Sequence, residues 1–132
     1  MTPMTTIPAG TRNVRRVAAV LTAVAATLAV ASALHLSGLV AGRGAPYNPD
    51  GAGVGEAVIG AVLVVSAVVM LRRPDRARGI GLAATGFATA GFLVGLSFTA
   101  RGGHWPDIAY HLAVLPVLIA SLVVLIRSGP PR

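Results

Sequence analysis

The chain has 132 residues, enough for one domain, and is 55% hydrophobic with only 11% charged residues and a mean hydropathy of +0.77. A water-soluble domain carries about 25% charged residues, so this composition, with apolar runs near span length, places the chain in a bilayer. The net charge of +7 comes from arginines that flank apolar runs and form no basic face interleaved with aromatics, which argues against nucleic-acid binding; with no cysteine, disulfides and thiolate ligands are excluded.

Residues 1–13 are polar, with Pro3, Pro8 and Gly10, and read as a mobile tail. Arg12, Arg15 and Arg16 lead into an apolar run from Val17 to Val40, about 36 Å as a helix. A cleaved signal peptide is the rival reading, with Ala31-Ser32-Ala33 as the cleavage triplet. The apolar run continues through Leu36, Leu39 and Val40, beyond the usual signal-peptide core of about 7–15 residues, and so favours a retained span.

The stretch AGRGAPYNPDGAGVG, 41–55, reads as a loop, with Tyr47 as an interfacial anchor. Its alternating glycines lack the Lys-Ser or Lys-Thr of a phosphate loop. A second span covers about 52–71 and carries Glu56 in its first turns. Arg72-Arg73-Pro74 ends it, since proline lacks the N–H to continue the ladder. The following link is short, so spans two and three are antiparallel neighbours.

The third span covers about 79–100. Ala84, Ala88, Gly91 and Gly95 recur at steps of four, three and four, which places them on one face. Such a face admits a second helix closely. It packs within the bundle or, alternatively, joins a second copy or another membrane protein. The fourth span covers about 106–126, with Pro106 in its first turn, Asp107 where the helix dipole favours an anion, and Pro116 inside. Residues 14–127 thus form one membrane domain, and 128–132 a short polar tail.

Nine arginines flank the N-terminus, the 72–78 link and the C-terminus, while only Arg43 and Arg101 lie in the other two loops. The positive-inside rule then puts both termini in the cytoplasm of a multi-pass cell-membrane protein. The expected fold is an all-α, up-down four-helix transmembrane bundle embedded in lipid. Its layout is similar to that of small four-span bacterial membrane families, DoxX-like proteins among them, in span count and length.

Polar groups concentrate in Arg101 to Pro116, RGGHWPDIAYHLAVLP. His35, Glu56 and His111 each fall one or two turns below the outer end of their spans, so an up-down bundle brings them to one depth. A His, His, Glu set suits a divalent metal such as zinc, with His104 as a further ligand from the loop. Asp107, four residues before His111, is placed to support that imidazole. Two histidines on neighbouring helices also suit a haem. The plainer reading is that these groups reach interfacial water and bind nothing. Neither HExxH nor GxSxG occurs. The leading functional expectation is therefore a small non-enzymatic membrane protein that packs against a partner. A metal or haem site stands second, and transport or lipid binding through an outer-facing polar cavity third. A cavity lined by these groups without converging nitrogens favours the third.

Overall fold

The structure, a computed structural model, describes residues 9–40 and 44–129; Arg43, Gly42 and most of the expected N-terminal tail lie outside it. Four helices follow in order: α1 (Ala9–Leu36), α2 (Pro49–Arg72), α3 (Ala77–Gly102) and α4 (Trp105–Arg127). Each is long and apolar enough to cross a membrane, and no strand occurs among the described residues. The all-α four-span architecture is that expected from the apolar runs.

The helix ends are set by local chemistry. α1 begins at Ala9, ahead of the apolar run, so the Arg12, Arg15 and Arg16 segment is helical as well. It stops four residues before Val40, because Gly38 turns the chain at φ 73°, a conformation that glycine adopts without penalty. α2 starts three residues earlier than expected. Asn48 caps it by accepting a hydrogen bond from the Asp50 N–H at 3.1 Å, and Pro49 occupies the first helical position. Gly103, at φ 68°, closes α3. Pro116 stays within a continuous α4.

Packing follows a seven-residue rhythm. On α2 the buried residues are Gly53, Glu56, Gly60, Leu63, Ala67 and Met70, at alternating steps of three and four. On α1, Ala18, Leu21, Ala25, Leu28, Ser32 and His35 keep the same rhythm. That is the seam of two helices wound at a shallow left-handed angle. The glycines let the two backbones approach. A Cβ on Gly53 would lie 2.8 Å from Leu36 Cγ and 3.0 Å from His35 Cβ. The Ser32 hydroxyl donates across the seam to the Gly53 carbonyl at 2.7 Å.

α1 packs most extensively on α2, and α3 on α4; α2 also lies along α3, while α2 and α4 do not meet. The core is built from Leu21, Leu28, Leu63, Met70, Phe92, Leu118 and Leu125. The start of α1 and the end of α4 lie at one end of the bundle, where the Asn13 amide donates to the Ser128 hydroxyl. There the Arg78 guanidinium donates to the carbonyls of Leu125 (2.9 Å) and Ile126 (3.3 Å), satisfying the open end of α4. The opposite end gathers the polar groups.

Candidate functional site: a polar cluster beside a lateral cleft

His35 sits at the last turn of α1, two per cent exposed, with a carboxylate on each side. Its Nδ1 lies 2.7 Å from Glu56 Oε2 on α2, and its Nε2 lies 3.1 Å from Asp107 Oδ2 on α4. The Tyr47 hydroxyl completes this side. It donates to Asp107 Oδ2 at 2.6 Å and lies 2.9 Å from His35 Nε2, whose N–H it can accept. With both ring nitrogens facing acceptors, this arrangement accommodates His35 as an imidazolium between two carboxylates. Two buried charges of one sign around a single cation would be costly in hydrocarbon, and Tyr47 offsets part of that by donating to Asp107.

His104, in the turn between α3 and α4, caps the cluster. Its ring stacks on Tyr47, with centroids 4.9 Å apart and planes within 12°. Its Nδ1 is 3.0 Å from Asp107 Oδ2 but out of line for a hydrogen bond, and the nitrogen is buried without another partner. Tyr47, expected as an interfacial anchor, is instead buried in this cluster. Burial, and then the neighbouring Asp107 carboxylate, push the Tyr47 hydroxyl well above the usual tyrosine range.

His111 lies to one side. Its Nδ1 donates to the backbone carbonyl of Asp107 at 2.7 Å. The Asp107 carboxylate does not reach this ring, because helical side chains tilt toward the N-terminus, and Asp107 points up to His35, Tyr47 and His104. With Nδ1 donating, Nε2 of the neutral ring is an acceptor. That nitrogen faces Gly95 on α3: a Cβ there would lie 2.5 Å from it. Of the residues singled out in the sequence, then, His35, Glu56, Asp107 and His104 come together, and His111 stands apart from them. Among the described residues, no group of three or more His, Asp or Glu is arranged to hold a metal ion. His35 in this arrangement has neither nitrogen free for a metal or a haem iron.

The small residues of α3 face its neighbours. Ala84 and Ala88 are buried. A Cβ on Gly91 would lie 2.6 Å from Ile59 Cδ1 of α2. Where the small residues of α2 and α3 face each other, a cleft of about 530 Å³ opens beside the polar cluster. This is within the usual range of about 300–1,000 Å³ for small-molecule sites. Gly51, Ala52, Gly55, Gly91 and Gly95 make the room. Val58, Phe87, Val94 and Phe98 form its outer rim, and all four are exposed. In a bilayer such a rim meets acyl chains. Tyr47, Asn48, Glu56, Thr99 and His111 supply polar groups to the lining. Glu56 uses Oε2 on His35, and its other oxygen takes no hydrogen bond among the described residues. The Thr99 hydroxyl donates to backbone carbonyls of its own helix. The polar part of the lining thus combines one carboxylate, that of Glu56, with neutral groups.

Tyr110 turns inward, packs on Phe92 and His111, and meets the Thr27 hydroxyl at 2.8 Å. Trp105 is 68% exposed, as an interfacial residue would be. The functional residue missed from sequence was Tyr47. Its signal was the Tyr47-Asn48-Pro49-Asp50 run: a cap and a proline start α2 at once and hold the preceding tyrosine against the bundle end.

Fold and site together define a class: a small multi-pass membrane protein with a polar cluster at one end and a side cleft of apolar rim whose wall carries one of the cluster's carboxylates. No family model matches the chain, and neither a curated protein nor a solved structure does.

Proposed function

We propose that this chain is a binding protein of the cell membrane that takes a lipophilic cation, an apolar body with an ammonium-type head, from the bilayer into the cleft between α2 and α3. One observation carries the reading: an apolar-rimmed cleft with a carboxylate in its wall, Glu56, whose second oxygen takes no hydrogen bond among the described residues. A carboxylate in a low-dielectric wall selects a cation over a neutral or anionic head. The exposed rim of Val58, Phe87, Val94 and Phe98 supports entry from the hydrocarbon side. In this reading Gly55 leaves room for the ligand, while Gly91 and Gly95 seat Ile59 and the His111 ring against α3. The arginine distribution, nine against two, puts the cluster end outside and both termini in the cytoplasm.

The test is equilibrium binding of radiolabelled decyltrimethylammonium to the protein in lipid nanodiscs, with decanol and decanoate as competitors. The cation binds saturably, decanol competes weakly and decanoate does not compete. Glu56→Gln keeps the side-chain volume and removes the charge. An interaction with a charged partner is worth about 1.5–3 kcal/mol, so affinity falls roughly tenfold to a hundredfold. Equal competition by decanol, or an unchanged affinity in Glu56→Gln, overturns the reading and leaves an acyl-chain groove.

A further inference from the structure

The cluster joins the cleft to the end of the bundle through one imidazole. His35 links Glu56, which lines the cleft, to Asp107, Tyr47 and His104, which lie at the end of the bundle. An imidazole in this position can take a proton on one nitrogen and release one from the other. The two faces are not equivalent: Nδ1 meets the cleft carboxylate, and Nε2 meets the carboxylate and hydroxyl at the outer side.

With His35 protonated, the cluster holds one cation between two carboxylates. A cationic head that reaches the free oxygen of Glu56 adds a second positive charge at the same depth. Unit charges about 4 Å apart interact by about 4 kcal/mol even at an effective dielectric of about 20, so two cations that share the Glu56 carboxylate weaken each other's binding. If His35 gives up one proton, the summed charge of cluster plus ligand returns to its starting value. The bookkeeping is complete: the Nε2–H proton leaves toward Asp107, Nδ1–H remains bonded to Glu56, and the bare Nε2 accepts the Tyr47 hydroxyl 2.9 Å away. Unbinding runs the same path backwards and restores the ring, so no ring flip is needed.

The groups that face His35 are accounted for on every side. α2 contributes Glu56, α4 contributes Asp107, and the loop before α2 contributes Tyr47; His104 stands beyond Asp107 and Tyr47, and His111 to one side. α3 contributes no titratable side chain here, and its Arg101 is exposed. His104 supplies the outward step. Its Nδ1 is buried, has no hydrogen-bond partner and lies 3.0 Å from Asp107 Oδ2, so a small rotation of the ring connects it.

We propose that a lipophilic cation bound in the α2–α3 cleft exchanges one-for-one with a proton held on His35, which enters and leaves through Asp107 and His104 at the outer end of the bundle. The proposal rests on the cation-binding reading of the cleft.

Two measurements on the full chain in nanodiscs test it, both with decyltrimethylammonium, which has no titratable proton of its own. Calorimetry in two buffers of different ionisation enthalpy counts protons. About one proton is released per cation bound near neutral pH, and affinity rises up to tenfold per pH unit where release is complete. In parallel, the nitrogen NMR spectrum of ¹⁵N-histidine-labelled protein follows His35, assigned by its loss in His35→Gln. It converts on binding from two protonated nitrogens to one. Where His35→Gln fails to fold, Asp107→Asn and Glu56→Gln assign the signal by perturbing its two neighbours. Saturable binding with no proton released overturns the exchange and leaves the binding reading standing. One proton released with His35 unchanged places the titrating group elsewhere and overturns the relay. Absence of cation binding removes the binding reading, and the exchange falls with it.

Discussion

Gly53 and Gly55 are two residues apart on α2, and the structure assigns them opposite tolerances. At Gly53 an added Cβ would lie 2.8 Å from Leu36 Cγ, 3.0 Å from His35 Cβ and 3.1 Å from Leu36 Cδ2. Carbon pairs sit best at about 3.5–4.0 Å. The Leu36 side chain is exposed and can swing aside, but His35 Cβ is fixed by the α1 backbone and by two carboxylates. The helices must therefore separate by several tenths of an ångström. Alanine improves helix propensity by about 1 kcal/mol over glycine, while overpacking costs about 1–3 kcal/mol. Packing wins, and Gly53→Ala is less stable by up to about 2 kcal/mol. It also stretches the 2.7 Å His35–Glu56 contact and weakens cation binding. At Gly55 nothing lies within 4 Å of the added carbon, which faces the cleft. Gly55→Ala folds with equal or up to about 1 kcal/mol greater stability, and only ligand affinity falls. Unfolding monitored by circular dichroism during titration with a denaturing detergent separates the two. If Gly53→Ala is as stable as Gly55→Ala, the close approach of α1 and α2 is wrong.

Three further outcomes follow from single contacts. Tyr47→Phe removes a hydrogen bond to a buried carboxylate and lowers stability by about 1.5–3 kcal/mol near neutral pH. Wild-type stability falls as pH climbs from about 10, because the unfolded chain releases the Tyr47 proton there while the folded chain still holds it. Tyr47→Phe lessens that fall, and an identical fall in the variant contradicts the burial of this hydroxyl. Tyr110→Phe loses its bond to Thr27 inside the membrane, where such bonds average about 0.6 kcal/mol; a loss above about 2 kcal/mol in the same detergent unfolding assay would be inconsistent with a single contact. Arg78→Ala frees the carbonyls of Leu125 and Ile126 and frays the end of α4, lowering stability by about 1 kcal/mol. Hydrogen exchange localises that effect to the last turn, and uniform exchange across α4 would count against it.

The spans were legible because the apolar runs are long and end at arginines, glycines and prolines. Their ends were less so. Asn48-Pro49-Asp50 carries a cap-and-proline start that glycine-rich surroundings disguised as loop, and Gly38 ends α1 inside an apolar run. The shared depth of His35 and Glu56 could be read from residue counts. Side-chain direction could not. The four-residue step from Asp107 to His111 makes them neighbours on one face, yet the Cβ tilt sends the carboxylate away from His111 to meet α1 and the loop. Nor do residue counts reveal the cleft, which depends on glycines of α2 and α3 facing each other across a gap.

The most direct test of a cation in the α2–α3 cleft is photolabelling in nanodiscs with a diazirine-bearing decyltrimethylammonium, mapped by peptide mass spectrometry. Labels concentrated on Val58, Ile59, Phe87, Val94 and Phe98, and suppressed by excess unlabelled cation, are the outcome expected. Labels spread over the outward faces of α1 and α4, at Val30 and Val123 for instance, and insensitive to competitor, would contradict the site.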